Sequence, residues 1–129
     1  DEASRNLELA LRLKPNDVPT LIALGDAFIG AGRTRAAVGA FERALQIEPD
    51  NVPARVGLGW AALAAGQPAD AARSWRDVID LTRDGATLQR MVDVYHGLGD
   101  RESETHARAA LARLGGAPQG SPQGSKPSR

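Results

Sequence analysis

Apolar residues return along the chain in two helical periods divided by a short break, and the pair of periods itself returns. Leu21, Leu24, Gly25 and Phe28 follow the i, i+3, i+4, i+7 spacing of one helical face. Beyond Gly32, Ala37, Phe41, Ala44 and Leu45 trace a second such face. The run from Ala10 to Pro19, ALRLKPNDVP, comes back as ALQIEPDNVP from Ala44 to Pro53, an offset of 34 residues. The same offset carries Ala3 to Ala37 and Ala71, Leu7 to Phe41 and Trp75, Leu24-Gly25 to Leu58-Gly59, and Gly32 to Gly66. A unit of two helices is therefore repeated, because stacking neighbouring units is how such a unit buries its apolar faces. Asp17 and Asn51 suit the N-caps, with Pro19 and Pro53 tolerated in the first turn that follows. Gly32 and Gly66 suit the turn between antiparallel helices, and Pro49 ends the second helix. Gly25 and Gly59, set against Ala37 and Ala71, predict close approach of the two helices of a unit.

This pattern resembles the tetratricopeptide repeat, whose 34-residue signature reads Trp-x2-Leu-Gly-x2-Tyr, then Ala-x3-Phe, then Pro. Residues 18–51 fill those slots with Leu21, Leu24, Gly25, Phe28, Ala37, Phe41 and Pro49. Residues 52–85 fill them with Arg55, Leu58, Gly59, Ala62, Ala71, Trp75 and Arg83. From 86 to 114 the unit is degenerate. Leu88, Met91, Val92 and Tyr95 make a first helix, and Ala107, Ala110, Leu111 and Leu114 a second, one residue out of phase. Residues 1–17 read as the second helix of a truncated repeat. The resemblance implies an all-α fold, a right-handed superhelical solenoid of antiparallel helix pairs with about three and a half repeats.

At the N-terminal end, Leu7 and Leu11 would face a first helix that is absent, so the fragment reads as an excerpt of a longer repeat protein. The alternative is self-association through this open N-terminal helix, since repeat stacks without a polar cap associate. At the other end, Arg101, Glu102, Glu104, Arg108 and Arg113 surround a single apolar stripe, the pattern of a solvated outer helix. Residues 115–129, with Pro-Gln-Gly-Ser twice, have the composition of a disordered tail.

Composition narrows the chemistry. The 129 residues carry 16 basic against 16 acidic side chains, which argues against nucleic-acid binding and offers no polybasic patch for a membrane surface. The longest apolar run, Gly57 to Gly66, is ten residues, about half of what a membrane span needs. With no cysteine, disulfides, thiolate metal sites and thiol nucleophiles are excluded. His96 and His106 fall on different helices with no carboxylate at ligand spacing, and Glu102 and Glu104 point apart. No phosphate-binding glycine loop, nucleophile elbow or zinc-protease pattern appears. The expectation is no catalytic residue, no metal and no cofactor.

The resemblance implies that the first helices of successive units line a concave, protein-binding surface. At about 100° per residue, a second face of each first helix lies a quarter turn or more from the core stripe. It carries Ile22, Asp26 and Ile29, then Val56, Trp60 and Leu63, then Gln89, Asp93 and His96 with Arg90 at its margin. The expected partner is a protein whose apolar peptide or helix enters this groove. Trp60 stands out because Trp75 already fills the aromatic slot of its repeat, and Trp is enriched at binding hot spots. Some members of the family clamp acidic C-terminal tails. The matching positions here are Ile22, Asp26, Gly57, Ala86 and Arg90, of which only Arg90 fits, and Asp26 would repel a carboxylate. The competing expectations are a structural spacer or self-associating element, and the docking region of a larger enzyme.

Overall fold

The computed structural model describes residues 2–116, and residues 117–129 of the expected tail lie outside them. Among the described residues every regular element is helical: α1 (Glu2–Leu13), α2 (Val18–Gly30), α3 (Thr34–Ile47), α4 (Val52–Ala64), α5 (Pro68–Trp75), a 3₁₀ segment (Arg76–Leu81), α6 (Gly85–Leu98) and α7 (Arg101–Gly116). The chain divides into two compact units, the first ending at Trp75 and the second beginning at Arg76. The fold is all-α, built of antiparallel helix pairs.

In the first unit α1 packs on α2, α2 on α3, α3 on α4 and α4 on α5, and the first helices α2 and α4 also touch. Capping sets the helix starts. The Asp17 carboxylate accepts from the Thr20 backbone N–H (3.2 Å), and the Asn51 side-chain oxygen accepts from Ala54 N–H (2.9 Å). Pro19 and Pro53 occupy the first turns that follow. Each first helix ends in one motif. Gly32 and Gly66 both adopt φ 77°. The N–H groups of Arg33 and Gln67 then reach back to the carbonyls of Phe28 (2.8 Å) and Ala62 (2.9 Å).

The core of this unit joins Val18, Leu21, Leu24 and Phe28 of α2 to Ala37, Phe41 and Ala44 of α3 and Ala54 of α4. Leu7 and Leu11 of α1 pack against it half-buried, contrary to the expectation of an uncovered stripe. Ser4, Leu7 and Leu11 share the face that α1 turns toward α2, and Leu9 and Leu13 point outward, 55% and 85% exposed.

The glycines meet rings, not the alanines that the sequence suggested. A Cβ on Gly25 would stand 2.5 Å from the Phe41 ring, and one on Gly57 would stand 2.4 Å from the same ring. Phe41 of α3 is thus wedged between α2 and α4 where both lack a side chain. A Cβ on Gly59 would lie 1.9 Å from Trp75 Nε1. Ring volume, not backbone-to-backbone contact, fills these gaps.

In the second unit α6 packs on α7, and α7 on the 3₁₀ segment. Leu88, Met91, Val92 and Tyr95 of α6 are buried, as are Ala107 and Ala110 of α7 and Val78 and Ile79 of the 3₁₀ segment. Asp84 caps α6 through Thr87 N–H (3.3 Å), and Gly99 (φ 75°) repeats the turn, with Asp100 N–H on the Tyr95 carbonyl (3.0 Å). The α-helix of the second half of the 52–85 repeat stops at Trp75, and the chain tightens into the 3₁₀ segment. The 34-residue step holds through this segment, since Leu81 ends it 34 residues after Ile47 ends α3. Asp84 falls 33 residues after its counterpart Asn51, so one residue is missing from the connection that follows. At the C-terminal end α7 includes Gly115 and Gly116, both expected in the tail.

Candidate functional site

The residues expected to face a partner divide between the two units. In the first, α2 and α4 are almost uncharged: Asp26 is the one charged residue of α2, and Arg55 the one of α4. Arg55 is spent on its own loop, donating through Nε (3.2 Å) and a terminal nitrogen (3.0 Å) to the Pro49 carbonyl. Ile22 and Ile29 are half-buried against the core cluster. Val56 is buried at 7% exposure, and its carbonyl accepts a 3.1 Å bond from the Trp75 indole; this places it in the core and removes it from the accessible face. Leu63 remains half-buried.

Trp75 is fully buried, and Trp60 stands edge-on to it, ring centroids 5.3 Å apart at 72°. Trp60 itself is only half-buried, so one side of its indole is anchored and the other is presented. Asp26 lies one repeat before Trp60, the same position on the neighbouring first helix. It is exposed, yet the apolar surroundings desolvate its carboxyl and push its pKa above the ordinary 3.8.

In the second unit Gln89, Arg90, Asp93 and His96 are all exposed on α6. Gln89 donates to the Asp93 carboxylate (3.0 Å) one turn on. His96 Nδ1 lies 3.1 Å from Glu104 on α7, and Arg108 donates to the same carboxylate at 2.8 and 3.1 Å. These residues border a cleft of ≈ 420 Å³ with Gly99, Arg101 and Thr105. The Arg108 hydrogen bonds, then that of His96, hold Glu104 below the ordinary carboxylate range, so it stays ionised and serves as an ion-pair anchor. A second anchor is Asp80, which meets His106 Nε2 (2.9 Å) and Arg113 (2.9 Å) of α7.

Sequence spacing shows the Glu104–Arg108 pair, four apart on α7, but not the His96 contact across a turn or the Asp80 contacts, which are tertiary. Sequence reading also missed Gly57, assigned only as a vacant clamp position; the large ring in the preceding helix was the available signal. Among the described residues no group of three or more His, Asp or Glu is placed to hold a metal ion, and no helix is long and apolar enough to cross a membrane.

A chain of glycine-seated helix pairs capped by repeated turns defines a helical-hairpin repeat scaffold. The Tetratricopeptide repeat family model matches residues 28–92, half of the chain, and the protein belongs to that family. This is a family of protein–protein interaction scaffolds, typically non-catalytic. Among solved structures, a mutant of MamA aligns with a TM-score of 0.62 at 21% identity, covering 86% of this chain and 65% of that one. The MSR-1 form of MamA aligns with a TM-score of 0.62 at 20% identity, covering 85% and 66%. The chain thus spans just under two thirds of the length of either, and at these identities the likeness is one of fold. No protein of curated function matches the sequence.

Proposed function

We propose that this protein is a non-catalytic interaction module whose first unit binds an apolar peptide or helix of a partner protein along α2 and α4. The observation that carries this reading is Trp60: a second indole in a repeat whose aromatic slot is already filled, held edge-on by Trp75 and left half-exposed. Ile22, Ile29 and Leu63 supply aliphatic surface on the same face, and Asp26 marks it with one charge. An anchored aromatic loses little conformational freedom on binding, which is why such residues dominate interface energetics.

The test pairs Trp60→Ala with Trp60→Phe, which keeps an aromatic edge against Trp75. Both variants keep the helical circular-dichroism signature of the wild-type chain. Trp60→Ala weakens binding of apolar peptides selected on the wild-type protein by about thirtyfold or more, the scale of a hot-spot truncation of about 2 kcal/mol. Unchanged affinity in a folded Trp60→Ala variant would falsify the reading.

A second reading, self-association through α1, is favoured by the outward Leu9 and Leu13. The polar face of Gln89, Arg90, Asp93 and His96 belongs to the other unit and takes polar contacts of its own.

A further inference from the structure

Asp26 is anomalous in its surroundings. It sits in the interior of α2, where Asp is a poor helix former, between Ile22 one turn before and Ile29 one turn after. The only influence resolved on its carboxyl is desolvation, with no hydrogen bond or neighbouring charge to offset it. Three other carboxylates of the first unit have partners: Asp17 caps α2, Glu48 accepts from Asn51 (3.0 Å), and Asp70 pairs with Arg73. Three basic side chains near the groove helices are committed. Arg55 is bonded to the Pro49 carbonyl, Arg43 to the Pro15 carbonyl (2.7 Å), and Arg33 lies over the Phe28 ring, 4.8 Å from its centroid. A partly desolvated carboxylate on an apolar face lowers stability unless something arrives to pair with it.

Resting on the proposed groove, we infer that its occupant is a partner segment carrying a Lys or Arg among aliphatic residues, the cation pairing with Asp26 and the aliphatic part packing on Trp60. Charge complementarity decides between occupants. The face offers a single unsatisfied negative charge and an indole, a combination that favours a cation and disfavours a carboxylate. Repeat geometry supports the pairing, since Asp26 and Trp60 hold the same position on two first helices that touch. A long basic side chain can lay its methylenes along Ile22, Ile29 or the Trp60 ring and keep its charged head at the carboxylate.

The probe is a displayed library of random short peptides selected on the intact chain, on Asp26→Asn and on Trp60→Ala. The expected outcome is enrichment of peptides with Lys or Arg flanked by aliphatic residues on the wild-type chain, with the basic preference lost on Asp26→Asn. An enriched basic peptide then binds Asp26→Asn about five- to tenfold more weakly, with a flatter salt dependence, the scale of one partly exposed ion pair. Enrichment of uncharged or acidic peptides that still needs Trp60 overturns this inference and leaves the groove standing. Failure of any peptide to depend on Trp60 overturns the groove, and this inference with it. Concentration-dependent dimerisation that Asp26→Asn abolishes makes the occupant a second copy of the chain and likewise overturns the assignment.

Discussion

At the residue scale, one methyl group sets the sign of a substitution. Gly39 lies inside α3 with open space where its Cβ would stand. Gly39→Ala therefore gains helix propensity alone and stabilises the chain by about 0.8–1 kcal/mol. Gly57→Ala gains the same term but drives a methyl to 2.4 Å from Phe41, a buried ring that cannot swing away, and overpacking of about 1–3 kcal/mol makes it destabilising. Gly59→Ala is worse. Its Cβ would overlap the indole nitrogen that donates to Val56, so the bond is lost along with the fit. Urea denaturation of the three variants checks the order: Gly39→Ala above wild type, Gly57→Ala below it, Gly59→Ala lowest. A neutral Gly59→Ala would show that the ring is not seated there. The sequence marked Gly25 and Gly59 as packing positions because they recur, but not what they pack against. Phe41 and Trp75 reach them from the following helix, and that partnership depends on tertiary direction, which a one-dimensional period does not carry.

Elements differ in how much of their own structure the chain announces. The limits of α2 and α4 were legible, since cap, proline and terminal glycine all lie within one helix's reach, but the buried face of α4, with Val56 and Gly57 in it, was not. The 3₁₀ segment was not. Trp75, Val78 and Ile79 keep the spacing that Phe41, Ala44 and Leu45 show in an α-helix, and that apolar spacing does not set the pitch. For α1 the reading had its stripe but the wrong side of it. Leu7 and Leu11 turn to the core, leaving Leu9 and Leu13 outward. Self-association through α1 therefore predicts a concentration-dependent rise in mass by sedimentation equilibrium, which Leu9→Lys with Leu13→Lys removes without loss of helicity. Leu7→Lys instead lowers stability, because it buries a charge against the cluster. A strict monomer across the concentration series sinks this reading of the helix.

At the scale of the whole molecule, the perturbed carboxyls of the two units are shifted in opposite directions. In the second unit three carboxylates lie below their ordinary values. Asp84 is held by the Thr87 hydroxyl, Asp100 by the Ser103 side chain and then its N–H, with Arg76 adding to it, and Glu104 by Arg108 and then His96. A lowered acid stabilises the fold above its unfolded value, 3.8 for Asp and 4.5 for Glu, and that contribution is lost as pH falls through the lower folded values. Asp26, in the first unit, is raised, so its contribution is fully present below 3.8 and lost as pH rises through its folded value. At the alkaline end burial lifts the Tyr95 phenol from 10.0 to about 12, and stability present below 10.0 is lost as pH climbs through about 12. The aromatic residues provide one reporter for each unit, because Trp60 and Trp75 lie in the first and Tyr95 in the second. Urea titrations followed by tryptophan emission and by the Tyr95 ring resonances should therefore diverge between pH 5 and 3. The Tyr95 midpoint falls, and the Asp26 term offsets acid loss in the tryptophan midpoint, an offset that Asp26→Asn removes. Between 10.0 and about 12 the Tyr95 midpoint falls again. Midpoints that move together at both ends, unaltered by Asp26→Asn, would show that these carboxyls and the phenol do not govern the stability of the units that hold them.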